Sequence, residues 1–414
     1  MNAASVIVVG AGPAGAPSTP SVANAALLLA RAGVDVTLID RRTFPRGKPC
    51  GDCLSAGATE VLRRIGVLDR VEALPGARLR GWRIVAPDGR SFTAHFDEGT
   101  AGAGAFAIER AVLDGALLDA AVDAGARFIP DQAVTDLLYE DGRIAGVRTR
   151  RLCFRAPLTI GADGLRSVIA ARLHAVSRPA RLRKVSLTMH LPALLDTHDI
   201  GEMHAGDGIC AAIAPVAHGG TRCNVTVVAD AGRYGRDIAR DAHAFFAAAV
   251  RSLPIRERVD LHGLRDAPIL GSGPFDRPVR TAVFDGAALV GDAAGYYDPF
   301  TGQGVFQALA CAELLAPVAA RALARRDCSS AALRPYADAR TRLLRSSRIV
   351  QRGIEFVLAR RLLANFAIGR LAHAHEFARA VIRVTGDVAP ASSLLSGPSL
   401  LSLISPPHAT GSST

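Results

Sequence analysis

The chain is short of lysine and of aromatic residues. Of its 49 basic residues only Lys48 and Lys184 are lysines, so the formal charge of +11 rests on arginine. Aromatics make up 5% of the chain, with tryptophan present once, at Trp82. That scarcity removes the aromatic-interleaved basic surface of a single-strand binder. No zinc-finger spacing or helix-turn-helix accompanies the charge, so nucleic acid is not expected as a partner. No apolar run approaches the ~18–20 residues of a membrane-spanning helix. The opening residues, MNAASVIVVGAG, carry no basic segment, so no signal peptide is expected and a cytoplasmic location is. Forty glycines without a G-X-Y period exclude collagen. A hydrophobic share of 49% with 21% charged residues excludes wholesale disorder. The seven cysteines are odd in number and scattered, which argues for free thiols. Cys50-Gly-Asp-Cys53 matches C-x-x-C, but no second pair stands at zinc-site spacing, and no metal is expected.

The 414 residues suggest two or three structural units. Residues 5–9 (SVIVV), 34–39 (VDVTLI), 158–161 (LTIG) and 287–291 (AALVG) are short apolar runs of the kind found in buried parallel strands. Residues 22–32 and 111–124 have helical composition, the first stopping at Gly33. From about 175 to 275 alternating segments such as NVTVVAD predict a mostly antiparallel sheet. Residues 303–383 are Ala/Leu/Arg-rich at helical spacing, and 386–414, rich in Ser, Pro and Gly, read as a tail.

Gly10-Ala-Gly12-Pro-Ala14-Gly15 follows the first strand as a G-x-G-x-x-G turn. Its glycines permit a tight turn, close approach of the backbone to a pyrophosphate and close helix packing. Asp40 ends the second strand, where a carboxylate can accept from ribose hydroxyls. The acid usually lies ~20 residues beyond the motif, whereas Gly15 to Asp40 spans 25. The surplus falls at Ala16-Pro-Ser-Thr-Pro20, and Thr19-Pro20 has the pattern of an N-cap and first helical residue. The regular helix is therefore expected to start near Pro20, after an extra loop that would weaken pyrophosphate binding.

Three later segments carry a resemblance. Ile160-Gly-Ala-Asp163-Gly164-Leu-Arg-Ser167 is similar to the Asp-Gly motif of flavoprotein hydroxylases and their relatives. Gly291-Asp292-Ala-Ala-Gly-Tyr-Tyr-Asp298-Pro-Phe-Thr-Gly302-Gln303-Gly304 resembles their second flavin motif. Phe106-Ala-Ile-Glu-Arg110 resembles the segment whose arginine reaches FAD. Lys48-Pro-Cys50-Gly51 and Asp298-Pro-Phe-Thr-Gly-Gln-Gly look most like the geranylgeranyl reductase branch of that superfamily.

The resemblance implies an α/β, two-domain chain. A Rossmann-type FAD-binding domain (1–80, 105–174 and 276–330) would receive an inserted, mostly antiparallel substrate domain (81–104 and 175–275). A C-terminal helical region (331–385) and a tail (386–414) would follow. It implies FAD as cofactor, with Gly10, Gly12, Ala14, Gly15, Asp40, Arg41, Cys50, Gly51, Arg110, Val134, Asp163, Gly164, Asp292, Gly302, Gln303, Gly304 and Val305 as its neighbours. Only one dinucleotide-binding turn is present, so NAD(P)H is expected as a transient reductant without a domain of its own.

The implied activity is that of an FAD-dependent oxidoreductase on a hydrophobic small molecule, isoprenoid-like or an aromatic polyketide or quinone. Aromatic hydroxylation is the alternative. A non-catalytic homologue, with FAD binding impaired by the 16–20 insertion, is the alternative of another class. Halogenation is disfavoured because the W-x-W-x-I-P signature is missing. Ile209-Cys-Ala-Ala-Ile-Ala-Pro215 keeps the proline of a prenyl-reductase tunnel strand and loses its aromatics. His204, Tyr296, Tyr297 and Asp298 are positional candidates for acid–base work, and no catalytic residue is assigned. Between Ala331 and Arg383 eleven arginines stand against Asp338, Glu355 and Glu376. That surplus makes these helices a candidate peripheral membrane contact.

Overall fold

The computed structural model describes residues 5–10, 19–96, 104–193, 199–217 and 221–404. The β-branched run Val6–Val9 forms the middle of a six-stranded sheet, flanked by Leu158–Gly161 on one side and Val36–Ile39 on the other. Arg127–Ile129 and Ala287–Leu289 extend it in parallel, and Val283–Phe284 closes one edge antiparallel. All four residues of each of the three central strands are buried, as a parallel sheet covered on both faces requires. Helices Thr19–Arg31 and Arg110–Asp123 pack on one another, and Thr19–Arg31 packs on Gly304–Ala324. The buried faces of all three join the same core as the sheet.

Helix Gly304–Ala324 has the length and apolarity of a membrane-spanning segment, contrary to the sequence expectation. Its Leu309, Ala312, Leu315 and Ala319 are fully buried, so its apolarity serves the core.

The second layer is a seven-stranded sheet. Its order is Leu270–Ser272, Lys184–Pro192, Arg222–Asp230, Ile209–Pro215, Ile200–Ala205, Gly81–Val85, Ser91–His95. Every pair is antiparallel except Ile200–Ala205 with Gly81–Val85. Within the stretch read as sheet the chain also forms helices Ala231–Arg240 and Ala242–Arg251, the second capped by the Asp241 carboxylate and packed on the outer face of the sheet. The segment read as tail is partly helical: a 3-10 turn at Ala391–Leu395 and a helix at Gly397–Ile404. Both pack against helix His375–Thr385, where the Phe377 amide donates to Ser402 Oγ at 3.2 Å, and Arg370 Nε donates to the Leu403 carbonyl at 2.8 Å. All seven cysteines are free.

Candidate active site

The parallel register sets Val9 beside Ile39, so Gly10 and Asp40 meet at the sheet's carboxyl edge. A Cβ on Gly10 would lie 2.7 Å from the Asp40 Oδ2 and 3.3 Å from Val22, which leaves room for glycine alone. The Asp40 carboxylate accepts from the Arg42 amide at 2.9 Å and faces Arg46 at 3.5 Å. Burial pushes Asp40 up to about 6, against the lowering effect of Arg46 and the Arg42 amide. Arg41 Nε is buried with no hydrogen-bond partner among the described residues. The Gln132 amide donates to the Asp40 carbonyl at 2.9 Å, and this brings Val134, the start of strand Val134–Glu140, to the same edge. Gly12, Ala14, Gly15 and most of the predicted extra loop lie outside the described residues. The described part of the helix that follows begins at Thr19.

Further along the edge, Lys48, Cys50, Gly51, Arg110 and Asp292 form the polar end of a cavity. Arg110 opens its helix and donates to Asp114 Oδ1 at 3.0 and 2.7 Å, with Cys50 Sγ at 3.5 Å. Burial opposes its charge, but Asp114 and Cys50 outweigh burial and hold Arg110 raised. The Asp292 carboxylate has no hydrogen-bond partner among the described residues. Burial raises it, with Lys48 and Arg110 pulling the other way. Burial pushes Lys48 down to about 8.

Asp52, between the two cysteines, takes a left-handed φ of 54°. Its Oδ1 accepts from the Arg110 amide at 3.1 Å. Its Oδ2 meets Asn224 Nδ2 at 2.7 Å and His190 Nε2 at 2.6 Å. Asn224 Nδ2 also donates to the Cys50 carbonyl at 2.8 Å. These bonds pin the Cys50–Cys53 loop to two strands of the seven-stranded sheet and so join the two layers at the site.

Asp163 does not reach the cavity wall. Its carboxylate accepts from Ser167 Oγ and from the amides of Val168 at 2.6 Å and Ile169 at 3.2 Å, so it shapes the turn before helix Val168–Arg172. Burial raises it to about 6. Gly164 sits in that turn at φ 80°, and Leu165 beside it lines the cavity.

The second flavin-like motif forms a turn at the cavity's centre. Asp298 accepts from Lys184 Nζ and the Phe300 amide. Gly302 has φ 68°, Gly304 begins the long buried helix, and both line the cavity with Val305. A Cβ on Gly304 would stand 3.1 Å from the Tyr296 ring, which lines the cavity too. Burial raises the Tyr296 phenol well above its usual range, so it stays protonated.

Gln303, grouped by resemblance with the flavin neighbours, points its side chain the other way. Its Oε1 accepts from Thr301 at 3.1 Å, Ser347 at 3.0 Å and Gln351 at 3.1 Å, and its Nε2 donates to Asp387. Asp387 also accepts from Ser55 Oγ at 2.8 Å. Burial pushes Asp387 up to about 8, partly offset by the Ser55 and Gln303 bonds. This polar knot ties the C-terminal segment to the turn, and sequence reasoning missed all of its members except Gln303. His204 faces away from the cavity: it pairs with Glu202 at 3.0 Å, and Glu202 pairs with Arg258 at 2.7 Å. Met203, with opposite strand parity, lines the cavity instead. Tyr297 lies beneath the Arg352 guanidinium, 5.8 Å from its ring centroid.

The cavity measures about 640 Å³. Away from its polar end the walls are Trp82, Phe92 and Phe96, the strand Cys210–Ala214, and Val357, Ile368, Phe377 and Ile382 from the C-terminal helices. The described residues fit FAD on three counts. Gly10 has no space for a side chain, the Asp292 carboxylate is unpaired at the cavity, and Arg41 Nε is buried and unpaired beside Asp40.

The sequence pattern of the FAD binding domain matches residues 3–351. Digeranylgeranylglycerophospholipid reductase 2 of Methanococcoides burtonii is 26% identical over 344 residues, covering 80% of this chain and 79% of that protein. A geranylgeranyl bacteriochlorophyll reductase-like protein from Thermoplasma acidophilum superposes with a TM-score of 0.72 at 20% identity, covering 98% of this chain and 96% of the other. The flavin-dependent brominase Bmp2 superposes with a TM-score of 0.76 at 17% identity, covering 96% and 97%. At such identities these two structures show a shared fold: a Rossmann-type FAD domain joined to a second sheet. The match over residues 3–351, with Gly10, Asp40, Arg110 and Asp292 gathered along one edge of that fold, identifies the chain as a member of the FAD binding domain family and an FAD-dependent oxidoreductase.

Proposed function

We propose that the enzyme reduces carbon–carbon double bonds of a long, lipophilic, isoprenoid-like substrate. The observation that carries this reading is the cavity's polarity. Its charged groups gather at the Lys48, Arg110 and Asp292 end, and its remaining walls, out to the C-terminal helices, are almost wholly apolar. Apolar walls of that extent fit a ligand bound by burial rather than by hydrogen bonds. The relatives named as digeranylgeranylglycerophospholipid reductases support the same substrate class.

FAD, when bound, supplies the hydride. Lys48 and Asp292 offer it a cation and an acceptor, Gly302 and Gly304 allow backbone amides close to its ring, and the apolar walls exclude water. Tyr296, which lines the cavity beside Gly304 and is kept protonated by burial, is the proposed donor of the proton that completes saturation of the double bond. NAD(P)H is the proposed transient reductant, reaching the flavin without a nucleotide domain of its own.

The test is anaerobic. Purified protein is titrated with NADPH while its flavin absorbance is followed, then mixed with a geranylgeranyl lipid, and the product is weighed by mass spectrometry. Bleaching followed by reoxidation, with a product heavier by two hydrogens for each reduced bond, is expected. No anaerobic product, with an oxygenated one formed in a parallel reaction in air, would replace reduction by hydroxylation.

A further inference from the structure

The helices that close the cavity also carry an exposed apolar surface. Along helix Ser330–Leu358, Ile349, Gly353 and Val357 line the cavity, yet Ile349 is 65% exposed, so the cavity mouth opens beside it. Phe356 is exposed on the same helix, and on the following helix, Arg361–Leu371, Leu362 and Phe366 are 82% and 70% exposed. Leu394 lines the cavity and its neighbour Leu395 is exposed, as are Leu400 and Leu401. Large exposed apolar side chains concentrated on these C-terminal elements, two of which also line the cavity at Ile349 and Leu394, mark an interaction site rather than ordinary surface scatter.

The charge of this surface has one sign. From Arg342 to Arg370 there are seven arginines and one acid, Glu355. That acid is held inward, 3.8 Å from Lys184. Arg345, Arg352, Arg360 and Arg361 are exposed among the apolar residues. The Arg360 guanidinium lies 3.8 Å above the Phe356 ring and donates to the Phe356 carbonyl at 2.8 Å. Exposed leucine and phenylalanine interleaved with arginine is the composition of a surface that lies in the headgroup layer of an anionic membrane. A second copy of this chain would bring arginine against arginine across a twofold interface, which disfavours self-association.

We propose that this face docks on an anionic lipid bilayer, so that the cavity mouth between Ile349 and Leu394 opens into the membrane and takes its substrate directly from it. The proposal rests on the reading of the cavity as a lipophilic site, but its test does not use turnover. A protein that binds vesicles as expected and fails to reduce an isoprenoid lipid would refute that reading and leave the docking face standing.

The experiment is co-sedimentation of the full-length, FAD-loaded protein with vesicles. Phosphatidylcholine vesicles containing phosphatidylglycerol are compared with phosphatidylcholine alone, at low and high salt. Binding at least about tenfold tighter to the anionic vesicles, weakened by salt, is expected. The double substitution Leu362→Asp with Phe366→Asp should abolish most of that binding, at least about tenfold, because it removes two apolar anchors and adds like charge to the lipid. Neither residue lines the cavity, so the flavin spectrum and thermal midpoint of the variant should match those of the parent. Absence of vesicle binding at low salt would overturn the proposal. Binding untouched by the double substitution would also overturn it. A concentration-dependent dimer that the double substitution dissolves would assign the face to a second copy instead.

Discussion

Asp387→Asn tests whether the C-terminal segment is tied to the Gln303 turn by a neutral acid. In the folded protein burial holds Asp387 up at about 8, against an ordinary 3.8. Between those values the folded chain keeps a proton that the unfolded chain has released. Stability is therefore greatest below the ordinary value and falls as pH rises towards 8. One full proton of difference gives a slope of about 1.4 kcal/mol per pH unit, so the step from pH 5 to pH 8 amounts to about 4 kcal/mol at most, and roughly half that if the site relaxes around the charge. Asparagine has the shape of the protonated acid. Its Oδ1 can accept from Gln303 Nε2, and its Nδ2 can donate to Ser55 Oγ. The variant should match the parent only below about pH 4, and its advantage should grow by about 2–4 kcal/mol between pH 5 and pH 8. Urea denaturation at several pH values and constant ionic strength measures this. Asp40 and Asp163, also raised by burial to about 6, slope the same way in both proteins and cancel in the difference. Parallel stability curves for parent and variant would refute the argument, because they would mean that Asp387 ionises in the folded state as it does in water.

Gly10→Ala places a Cβ 2.7 Å from the Asp40 carboxylate, and it should weaken FAD binding by at least about tenfold, read by flavin fluorescence on reconstitution of stripped protein. Unchanged affinity would remove Asp40 from the cofactor edge. Ala212→Phe adds a ring to the strand Ile209–Pro215 on the side that lines the cavity. Turnover of a long isoprenoid lipid should fall at least about tenfold while flavin content stays constant, since an overfilled wall excludes substrate without touching Asp292 or Gly302. Lys48, pushed down to about 8, loses its charge as pH rises through that value. FAD affinity should therefore drop between pH 7 and pH 9 in the parent and stay level in Lys48→Gln, measured by fluorescence titration.

The parallel sheet is legible because VIVV, VTLI and LTIG are short, apolar and bounded by Gly10, Asp40 and Asp163, a pattern that a doubly covered strand produces and a half-exposed one does not. The helices Ala231–Arg240 and Ala242–Arg251 were not, since the first has no buried residue and the second reads as an apolar run indistinguishable from another sheet segment. At the site, a residue's type was often readable when its direction was not. Gln303 stands in a flavin-like motif, yet its side chain is claimed by Asp387, 84 positions later. Asp163 carries the Asp-Gly signature, yet its carboxylate is spent on the turn that follows it.

The same limit hides the joint between the two layers. Asp52 finds His190 and Asn224 at separations of 138 and 172 positions, and no local periodicity records such partners. What makes the pairing intelligible afterwards is the sheet register, which sets His190 opposite Asn224 on neighbouring antiparallel strands. One carboxylate can then meet both, while its Oδ1 takes the Arg110 amide. A buried acid with three donors is satisfied only if the six-stranded and seven-stranded layers sit in one relative position. The geometry between the polar end of the cavity and its apolar walls is thus set by Asp52, an interior residue of the C-x-x-C segment.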